Sequence, residues 1–565
     1  MLKNLGKIEY KKKINQIKLD PLDIKTGLNL TDELIIFKDK EISIYDRICD
    51  HNSGKLISKN NKTFCPMHNW EFIPEKGKYT NGLVKKKKNF EFEKNKILVS
   101  DILLEPKIKC WKKKSQVKIR YINHAFLIIE TEDFKFATDP WALGPAFNTG
   151  WWLKHKTIIN WKDELNTCDF IYVSHNHPDH CHELTLSYVN KDIPILVPNF
   201  QSDSVGVLLE DFGFKNIHKL NFEIQYQFKK TNLILSIFKS GDLREDSGLY
   251  FSIGSFTGLL TVDSNNLNFL RLPTEVDFFA SSFGGGAHGY PLNCENYELK
   301  DRIKMLSTDR NFIKNTKIKY LKKIKPSFFL PYASFFEERL ERDKLYIDHN
   351  IKNTAKVYEK ICKKLKIKIL DVNKKNIFEF TKKKIVQKKY KGKYFKDLNE
   401  NNYVKYFKKR YEKVDINFIK NYFVNSKFND GSKLFINLMD DDFQNSKFLF
   451  VVSFGEKISF KEITNDILMT QLKEENNYLY MKIRKEAFLN TIYNKRSWED
   501  ISIGFQNKQY RKPNNYNSKF WFHFTNVYVS KKFVKTLTEC SNCNILSQDI
   551  HNILFQDRTE LHTVK

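Results

Sequence analysis

The sequence predicts a multidomain α+β protein, in which a small all-β domain precedes a layered α/β sandwich and a smaller α+β domain. Three observations predict this order. Short apolar segments broken by turns occupy the N-terminal part, strands then alternate with helical segments up to about residue 350, and separate apolar segments return near the C-terminal end. With 565 residues, the chain is also too long for one hydrophobic core.

Composition supports folded domains and limits the classes of partner. Hydrophobic residues make up 41% of the chain, which excludes a mainly disordered protein. The net charge is +29, from 96 Lys and Arg against 67 Asp and Glu, but the excess Lys is dispersed through an Asn- and Ile-rich background. A solvated surface is therefore favoured over a nucleic-acid footprint, and nucleic acid is not expected as a partner.

No segment predicts export or membrane insertion. The longest apolar run, Phe448 to Phe454, is far shorter than the ~20 residues that span a bilayer. The first residues lack the apolar stretch of a secretory signal. Nine cysteines without such a signal favour metal ligation or burial over disulfides. We therefore expect a cytoplasmic protein with no membrane partner.

Domain boundaries follow changes of pattern along the chain. We expect an N-terminal extension at 1–23, an all-β domain at 24–106 and the α/β sandwich at 115–350. A segment dense in Lys, Tyr and Asn predicts a charged, largely helical connector at 351–426. A C-terminal α+β domain at 427–565 completes the chain, and the sequence indicates no role for it.

Four residues of the all-β domain have the spacing of a Rieske 2Fe–2S centre. Cys49-x-His51 is followed by Cys65-x-x-His68. In such a centre two thiolates hold one iron and two imidazoles hold the other, which raises the reduction potential above that of an all-Cys cluster. The alternative is a zinc site, but in the usual finger both cysteines precede both histidines. We therefore predict that Cys49, His51, Cys65 and His68 bind a 2Fe–2S cluster.

A histidine-rich loop follows a buried strand of the sandwich. Three histidines and one aspartate, His175, His177, Asp179 and His180, stand within six positions. A loop leaving one strand can turn all four side chains toward one point, where they form the predicted catalytic centre. We expect His175 and His177 to serve one metal, and Asp179 with His180 to serve a second or a shared metal.

This loop resembles the signature of the metallo-β-lactamase superfamily, whose domains are αββα sandwiches. The resemblance places His124 on the strand that opens the active-site face, as a candidate to support a metal ligand or contact substrate. It places Asp139 where an aspartate orients a metal-bound histidine. It also implies Asp263 as a bridging carboxylate and His288 as the last ligand. The superfamily's middle histidine has no match, so either Asp242 substitutes for it or the second metal is absent.

A Rieske domain ahead of such a sandwich is a rare order. Together with the runs ATDPWALGPAFNTGWWL and SHNHPDHCHELTL, it resembles the CMP-N-acetylneuraminate hydroxylase family over about residues 25 to 345. The resemblance implies oxygenation of the N-acetyl group of CMP-N-acetylneuraminate or a related sialic-acid-like nucleotide sugar. It also implies O2 and electrons from NADH, delivered through a reductase and a cytochrome b-type or ferredoxin-like carrier.

The two motifs together favour iron at the second site. Zinc has no redox chemistry, so an electron-delivering cluster would serve no purpose beside it, whereas iron accepts the same ligands and activates O2 when reduced. We expect one or two irons, with zinc as the alternative. Trp151 and Tyr332 are candidates for substrate contact, although core packing explains both equally well.

Three other functions stay open at this point. The first is a metal-dependent hydrolase of the superfamily, such as a lactonase or phosphodiesterase, with an accessory Rieske domain. The second is a nucleic-acid-processing member, for which the sequence has no RNA-binding motif. The third is an electron-transfer module without catalysis, against which the complete histidine-rich loop argues.

Overall fold

The protein is described from a computed structural model, which covers residues 1–50, 55–59, 62–65, 70–80, 82–108, 116–241, 244–381 and 384–528. The predicted residues His51, His68 and Asp242 lie outside these ranges. Of the helices in the described part of the chain, none is both long and apolar enough to cross a membrane.

The N-terminal β domain consists of three small antiparallel sheets. Alternation of large apolar and polar residues directs Ile35, Ile44 and Phe72 into its two cores. The first sheet contains the strands Gly27–Leu30, Leu34–Lys38 and Ile42–Asp46, and the second contains Ile57–Lys59, Lys62–Phe64, Glu71–Ile73 and Lys78–Tyr79. The third pairs Phe90–Glu93, Lys96–Lys107 and Glu9–Leu19.

The central domain has two eight-stranded sheets packed face to face. The first sheet, in spatial order, contains Ile217–Leu220, Ile195–Pro198, Phe170–Tyr172, Lys135–Thr138, Phe126–Glu130, Val117–Asn123, Ile377–Phe380 and Ile385–Lys388. The second contains Leu2–Lys7, Ile224–Phe228, Leu233–Lys239, Ser247–Ile253, Phe256–Val262, Phe278–Ser281, Phe328–Pro331 and Lys368–Ile369. Near-continuous apolar strands such as Leu233–Lys239 are buried because both faces of each sheet are covered.

Helices cover the outer faces of both sheets, which gives the predicted αββα order. The helices Trp161–Asn166, Glu183–Leu186 and Ser204–Asp211 contribute buried residues to the core outside the first sheet. The long helix Leu299–Ile324 packs its Tyr320, Leu321 and Ile324 against the second sheet. Short helices Lys344–His349 and Glu359–Leu365 and a two-stranded ribbon, Trp152–Leu153 with Phe336–Glu337, complete the domain.

Two segments differ from their sequence-based descriptions. The expected extension at 1–23 supplies an edge strand to the second sheet, where Leu2–Lys7 pairs with Ile224–Phe228. The expected helical connector at 351–426 contains the strands Lys368–Ile369, Ile377–Phe380 and Ile385–Lys388, which join both sheets, before the helices Glu400–Arg410 and Ile416–Asn425. The sequence does not predict these strands, because alternation of apolar and polar residues over only two to four positions is a weak signal within a Lys-rich segment.

The C-terminal domain is an α+β unit around one five-stranded sheet. Its strands, in spatial order, are Ile458–Glu462, Ser446–Phe454, Lys433–Met439, Tyr478–Arg484 and Asn507–Lys512. Its helices are Asn465–Glu474, Lys485–Tyr493, Glu499–Ile503 and Ser518–Phe522. This domain packs closely against the central one at Gly504. There is no room for a side chain at this position, because a Cβ on Gly504 would lie 2.1 Å from the carbonyl oxygen of Phe147.

Candidate metal centre

The predicted histidine-rich loop lies at one edge of the central domain, where strands from both sheets end. Asp139 follows Lys135–Thr138, and the loop from His175 to His180 follows the neighbouring parallel strand Phe170–Tyr172. Asp263 follows Phe256–Val262 of the second sheet. The carboxyl ends of parallel neighbours meet at one edge, and ligand sites in α/β sheets form there.

Two residues of this edge adopt left-handed backbone conformations. His124 has φ +38° in the turn between two strands, and Asp139 has φ +42° directly after its strand. Both are fully buried. Non-glycine residues in this region are strained and are found mainly where surrounding contacts fix them, often at functional sites.

Six side chains converge in two groups that have the composition of metal sites. The first group contains His124, Asp179 and His180, and the second contains His175, His177 and Asp263. In each group one ligand atom per residue lies within 4.8 Å of the others. The structure therefore groups His175 with His177 and Asp179 with His180, and it adds His124 to the second of these pairs.

The two groups are adjacent and share a carboxylate neighbour. Nε2 of His180 lies 3.2 Å from Oδ2 of Asp179 and 3.5 Å from Oδ2 of Asp263. Nε2 of His124 lies 3.0 Å from the same Asp179 oxygen, and Nε2 of His175 lies 2.9 Å from Nδ1 of His177. Asp263 therefore faces both groups, as expected of a bridging carboxylate.

Behind the ligand-type residues, Asp139 and Ser174 fix the orientation of two imidazoles. Oδ2 of Asp139 lies 3.2 Å from Nδ1 of His180, and its Oδ1 accepts the Ser174 backbone N–H at 2.7 Å. The Ser174 hydroxyl donates to Oδ2 of Asp139 at 3.0 Å and lies 2.9 Å from Nδ1 of His175. The resemblance implies an orienting role for Asp139, and these contacts are the ones that such a role requires.

The donor set fits a metal because several buried polar atoms of the centre have no hydrogen bond. Among the described residues, these atoms are Nδ1 of His124, Oδ1 of Asp179 and Nε2 of His180. Leaving buried polar atoms unpaired costs about 1–3 kcal/mol each, so native structures rarely tolerate several together. Imidazole nitrogens and carboxylate oxygens in this arrangement are ligands for iron or zinc.

Neighbouring groups of the centre shift the pKa values of its histidines. Burial lowers the pKa of His175 well below its ordinary value, and the neighbouring His180 adds to this effect. Burial opposes the protonation of His180 too, but the carboxylates of Asp179, Asp263 and Asp139 together raise its pKa well above the ordinary value. Without a metal, the cationic imidazole of His180 balances the carboxylates around it.

Three predicted residues belong to neither ligand group. Nδ1 of the His288 ring lies 2.8 Å from the carbonyl oxygen of Tyr290. The Trp151 ring stacks on Phe336 at 3.5 Å and lies 6.3 Å from the ring of His124. Tyr332 is fully buried, and burial together with the nearby Asp139 raises its pKa well above the ordinary value.

Two acidic residues near the centre were not found from the sequence. Oδ1 of Asp246 lies 3.9 Å from Nε2 of His175, in the same segment as the predicted Asp242. Oε2 of Glu499, from the C-terminal domain, lies 3.4 Å from Nε2 of His177. Burial opposes protonation of His177, but Glu499 raises its pKa to about 9. In the sequence, Glu499 is marked only by its position next to another acidic residue, Asp500.

The two described residues of the predicted cluster site suit thiolate ligands. Cys49 and Cys65 are fully buried in one apolar cluster that also contains Trp70 and Tyr79, and neither forms a disulfide within the described part of the chain. The backbone N–H of Cys65 donates to the carbonyl oxygen of Trp70 at 2.8 Å.

Comparison with known families confirms both the Rieske domain and the β-lactamase-like domain. Residues 13–91 match the Rieske [2Fe-2S] domain, and residues 118–244 match the beta-lactamase superfamily domain. A cytidine monophosphate-N-acetylneuraminic acid hydroxylase from Danio rerio is 30% identical over 441 residues, which are 72% of each chain. The protein of the same name from Macaca mulatta is 26% identical over 559 residues, covering 90% of this chain and 92% of its own.

Two matching solved structures each resemble about half of the chain. CmlA, a diiron beta-hydroxylase from Streptomyces venezuelae, is 16% identical with a TM-score of 0.31, covering 49% of this chain and 55% of its own. An isothiocyanate hydrolase from Delia radicum gut bacteria is 17% identical with a TM-score of 0.28, covering 45% of this chain and 95% of its own.

Proposed function

Since the chain belongs to the cytidine monophosphate-N-acetylneuraminic acid hydroxylase family, we propose that it hydroxylates the N-acetyl group of CMP-N-acetylneuraminate or a related sialic-acid-like nucleotide sugar. It is an oxidoreductase of the monooxygenase type, with a Rieske domain and a metallo-β-lactamase-like domain in one chain. The observation that carries the proposal is the double histidine–carboxylate centre in the same chain as the Rieske motif.

The ligands of both cofactors come from residues named above. A 2Fe–2S cluster would be held by Cys49 and Cys65 together with His51 and His68, and iron by the two histidine–carboxylate groups. When bound, the cluster supplies single electrons and the iron supplies O2 activation, a combination that zinc cannot use. The proposal includes iron at both groups, with Asp263 between them.

The chain's own residues prepare the centre for metal. A histidine must be neutral at its ligating nitrogen, so His180 would hold a metal only after losing the proton that the surrounding carboxylates favour. Asp139 then accepts at Nδ1 of His180, which leaves Nε2 directed at Asp179 and Asp263. Ser174 fixes the ring of His175 in the same way through Nδ1.

Burial keeps bulk water from the reacting edge. His124, His175, Asp179 and His180 are all at most 1% exposed, whereas the side chains of His177 and Asp263 are 12% and 21% exposed. The more exposed pair therefore marks the side from which O2 and substrate reach the centre. Excluding water there protects an O2-activating site from unproductive side reactions.

The electrons come from outside the chain. We propose NADH as their source, acting through a reductase and a one-electron carrier of the cytochrome b or ferredoxin class. The net charge of +29 suits contact with an acidic carrier and an anionic nucleotide sugar. A cytoplasmic location is part of this proposal.

An oxygenation assay tests the function directly. The full chain, reconstituted anaerobically with iron and sulfide, is supplied with CMP-N-acetylneuraminate, O2, NADH, reductase and carrier. We expect a product heavier by one oxygen atom that requires both O2 and NADH. Turnover with zinc alone at the second centre, or product release without O2, would instead identify a hydrolase.

A further inference from the structure

A continuous series of side-chain contacts joins the two cofactor sites through the C-terminal domain. It begins at Trp70, whose carbonyl oxygen accepts the backbone N–H of Cys65 at 2.8 Å. The Trp70 residue is 2% exposed and packs in the same cluster as Cys49 and Cys65. Trp70 is therefore in direct backbone contact with Cys65, a predicted cluster ligand.

The next member of the series is Tyr516, which comes from the C-terminal domain. Its ring lies 6.0 Å from the ring of Trp70 at an interplanar angle of 35°, and it packs against the core of the N-terminal β domain. On its other side it stacks on Trp521 at 6.1 Å and 7°. The adjacent Asn515 donates through Nδ2 to the Thr80 hydroxyl at 3.2 Å, which adds a polar contact between the same two domains.

Tyr516 leads to the metal centre through Glu499. Burial raises the pKa of Tyr516 well above its ordinary value, and the charge of the nearby Glu499 carboxylate adds to this effect. Oε2 of Glu499 then lies 3.4 Å from Nε2 of His177. His177 is a member of the second ligand group, and its Nδ1 lies 2.9 Å from Nε2 of His175.

The docking of the C-terminal domain holds this series in place. Gly150 and Gly504 touch backbone to backbone, since a Cβ on Gly150 would lie 2.1 Å from the Gly504 carbonyl oxygen. Arg484 of the C-terminal domain forms a buried ion pair with Asp343 of the central domain at 2.7 Å. Close-packed contacts of this kind fix relative position, because neither partner can shift without losing buried contacts.

We propose that Tyr516 and Glu499 are positioning residues that couple the Rieske site to the His177 side of the metal centre within one chain, and this rests on the proposed function. One electron at a time passes along this series from the reduced cluster to the metal centre. Two such electrons, two protons and one O2 balance the conversion of one C–H bond into C–OH with release of one water. The external one-electron carrier re-reduces the cluster after each transfer.

The test measures electron transfer itself. Full-length protein carrying both cofactors is reduced anaerobically with dithionite and mixed with O2 and CMP-N-acetylneuraminate, while the visible absorption of the cluster is followed in stopped flow. We expect Tyr516→Leu and Glu499→Gln to slow cluster oxidation by about 10- to 100-fold, the range found when outer partners of a ligand are removed. The matched controls Tyr510→Phe and Glu474→Gln, both on exposed residues of the same domain, keep the rate of the unaltered protein.

Cofactor content decides between loss of coupling and loss of structure. Cluster EPR and iron content are measured on each variant, and only proteins with both sites filled are compared. Tyr516→Phe keeps the ring against Trp70 but loses the hydroxyl that faces Glu499, so it gives an intermediate rate if the series is continuous and replaces Tyr516→Leu if that variant does not fold. Unchanged oxidation rates in fully loaded variants would overturn the proposal.

Failure of this proposal can be distinguished from failure of the proposed function. If the unaltered protein forms the oxygenated sugar and the variants oxidise their clusters at its rate, the coupling is wrong and the function stands. If no oxygenated sugar forms but the variants still slow cluster oxidation, the coupling stands and the substrate is wrong.

Discussion

The substitution Asp139→Asn tests whether the centre is built around metal ligands. The Asp139 carboxylate is fully buried and has three neighbours, namely Nδ1 of His180 at 3.2 Å, the Ser174 N–H at 2.7 Å and the Ser174 hydroxyl at 3.0 Å. Asparagine has nearly the same shape and tolerates the positive φ of +42° at this position. The substitution therefore removes the charge and one acceptor without adding backbone strain.

Two effects of known size follow from these contacts. Replacing one carboxylate oxygen by an amide group leaves a buried donor facing another donor, which costs about 1–3 kcal/mol of folding free energy. Loss of the acceptor behind His180 lowers metal affinity by about 10- to 100-fold. That fold-change corresponds to about 1.4–2.7 kcal/mol of binding free energy.

The assay separates the two effects. Metal affinity is measured anaerobically by competing Fe(II) against a chelator of known affinity, and thermal unfolding is followed on the metal-free protein. Asp169→Asn is the matched control. Asp169 also accepts a backbone N–H, that of Lys135 at 2.8 Å, but its side chain is exposed and belongs to neither ligand group. Unchanged Fe(II) affinity in a folded Asp139→Asn protein would refute the assignment of Asp139 and weaken that of His180.

Three further predictions concern the other parts of the molecule. Cys65→Ser abolishes the visible absorption and EPR signal of the cluster while iron at the second centre stays. Glu164→Gln lowers the free energy of unfolding at pH 7 by about 2–3 kcal/mol, because burial would raise the pKa of Glu164 but Arg120 and its neighbours lower it from 4.5 to about 2. Gly504→Ala costs about 1–3 kcal/mol, since its Cβ would lie 2.1 Å from the Phe147 oxygen.

For each of these three substitutions, a specific result would contradict the prediction. Retention of the Rieske EPR signal in Cys65→Ser would exclude that cysteine as a ligand. The Glu164→Gln difference should shrink as the pH falls from about 4.5 toward about 2, because the unaltered carboxylate loses its stabilising charge over that range. A constant difference in calorimetry would contradict it. Gly455→Ala, with only a contact at 4.0 Å, is the control for Gly504→Ala and should unfold like the unaltered protein.

Much of the centre follows from strand ends in the sequence. Asp139, the loop from His175 to His180 and Asp263 each come directly after an apolar strand, and the fold brings those ends to one edge. The resemblance placed His124 on the strand that opens the active-site face, as a candidate to support a ligand or contact substrate, but it lies in the turn after Val117–Asn123 and belongs to the first ligand group. The sequence could not decide this, because whether an imidazole ligates or supports depends on distances of a few ångströms.

Other parts of the site depend on contacts that no local pattern encodes. His177 and Glu499 are 322 positions apart, and they meet only because the C-terminal domain docks on the central one. The resemblance implied His288 as the last ligand, but Nδ1 of its ring lies 2.8 Å from the carbonyl oxygen of Tyr290, a contact that the sequence does not reveal. The predicted connector contains short strands whose pattern is lost among lysines.

The source of the oxygen atom in the product distinguishes oxygenation from hydrolysis. The reconstituted protein is supplied with CMP-N-acetylneuraminate, NADH, reductase and carrier under ¹⁸O2 in unlabelled water, and the intact sugar nucleotide is analysed by mass spectrometry. We expect one ¹⁸O atom in the acyl group of the product. An unlabelled product, or label that enters only from H2¹⁸O, would contradict this expectation.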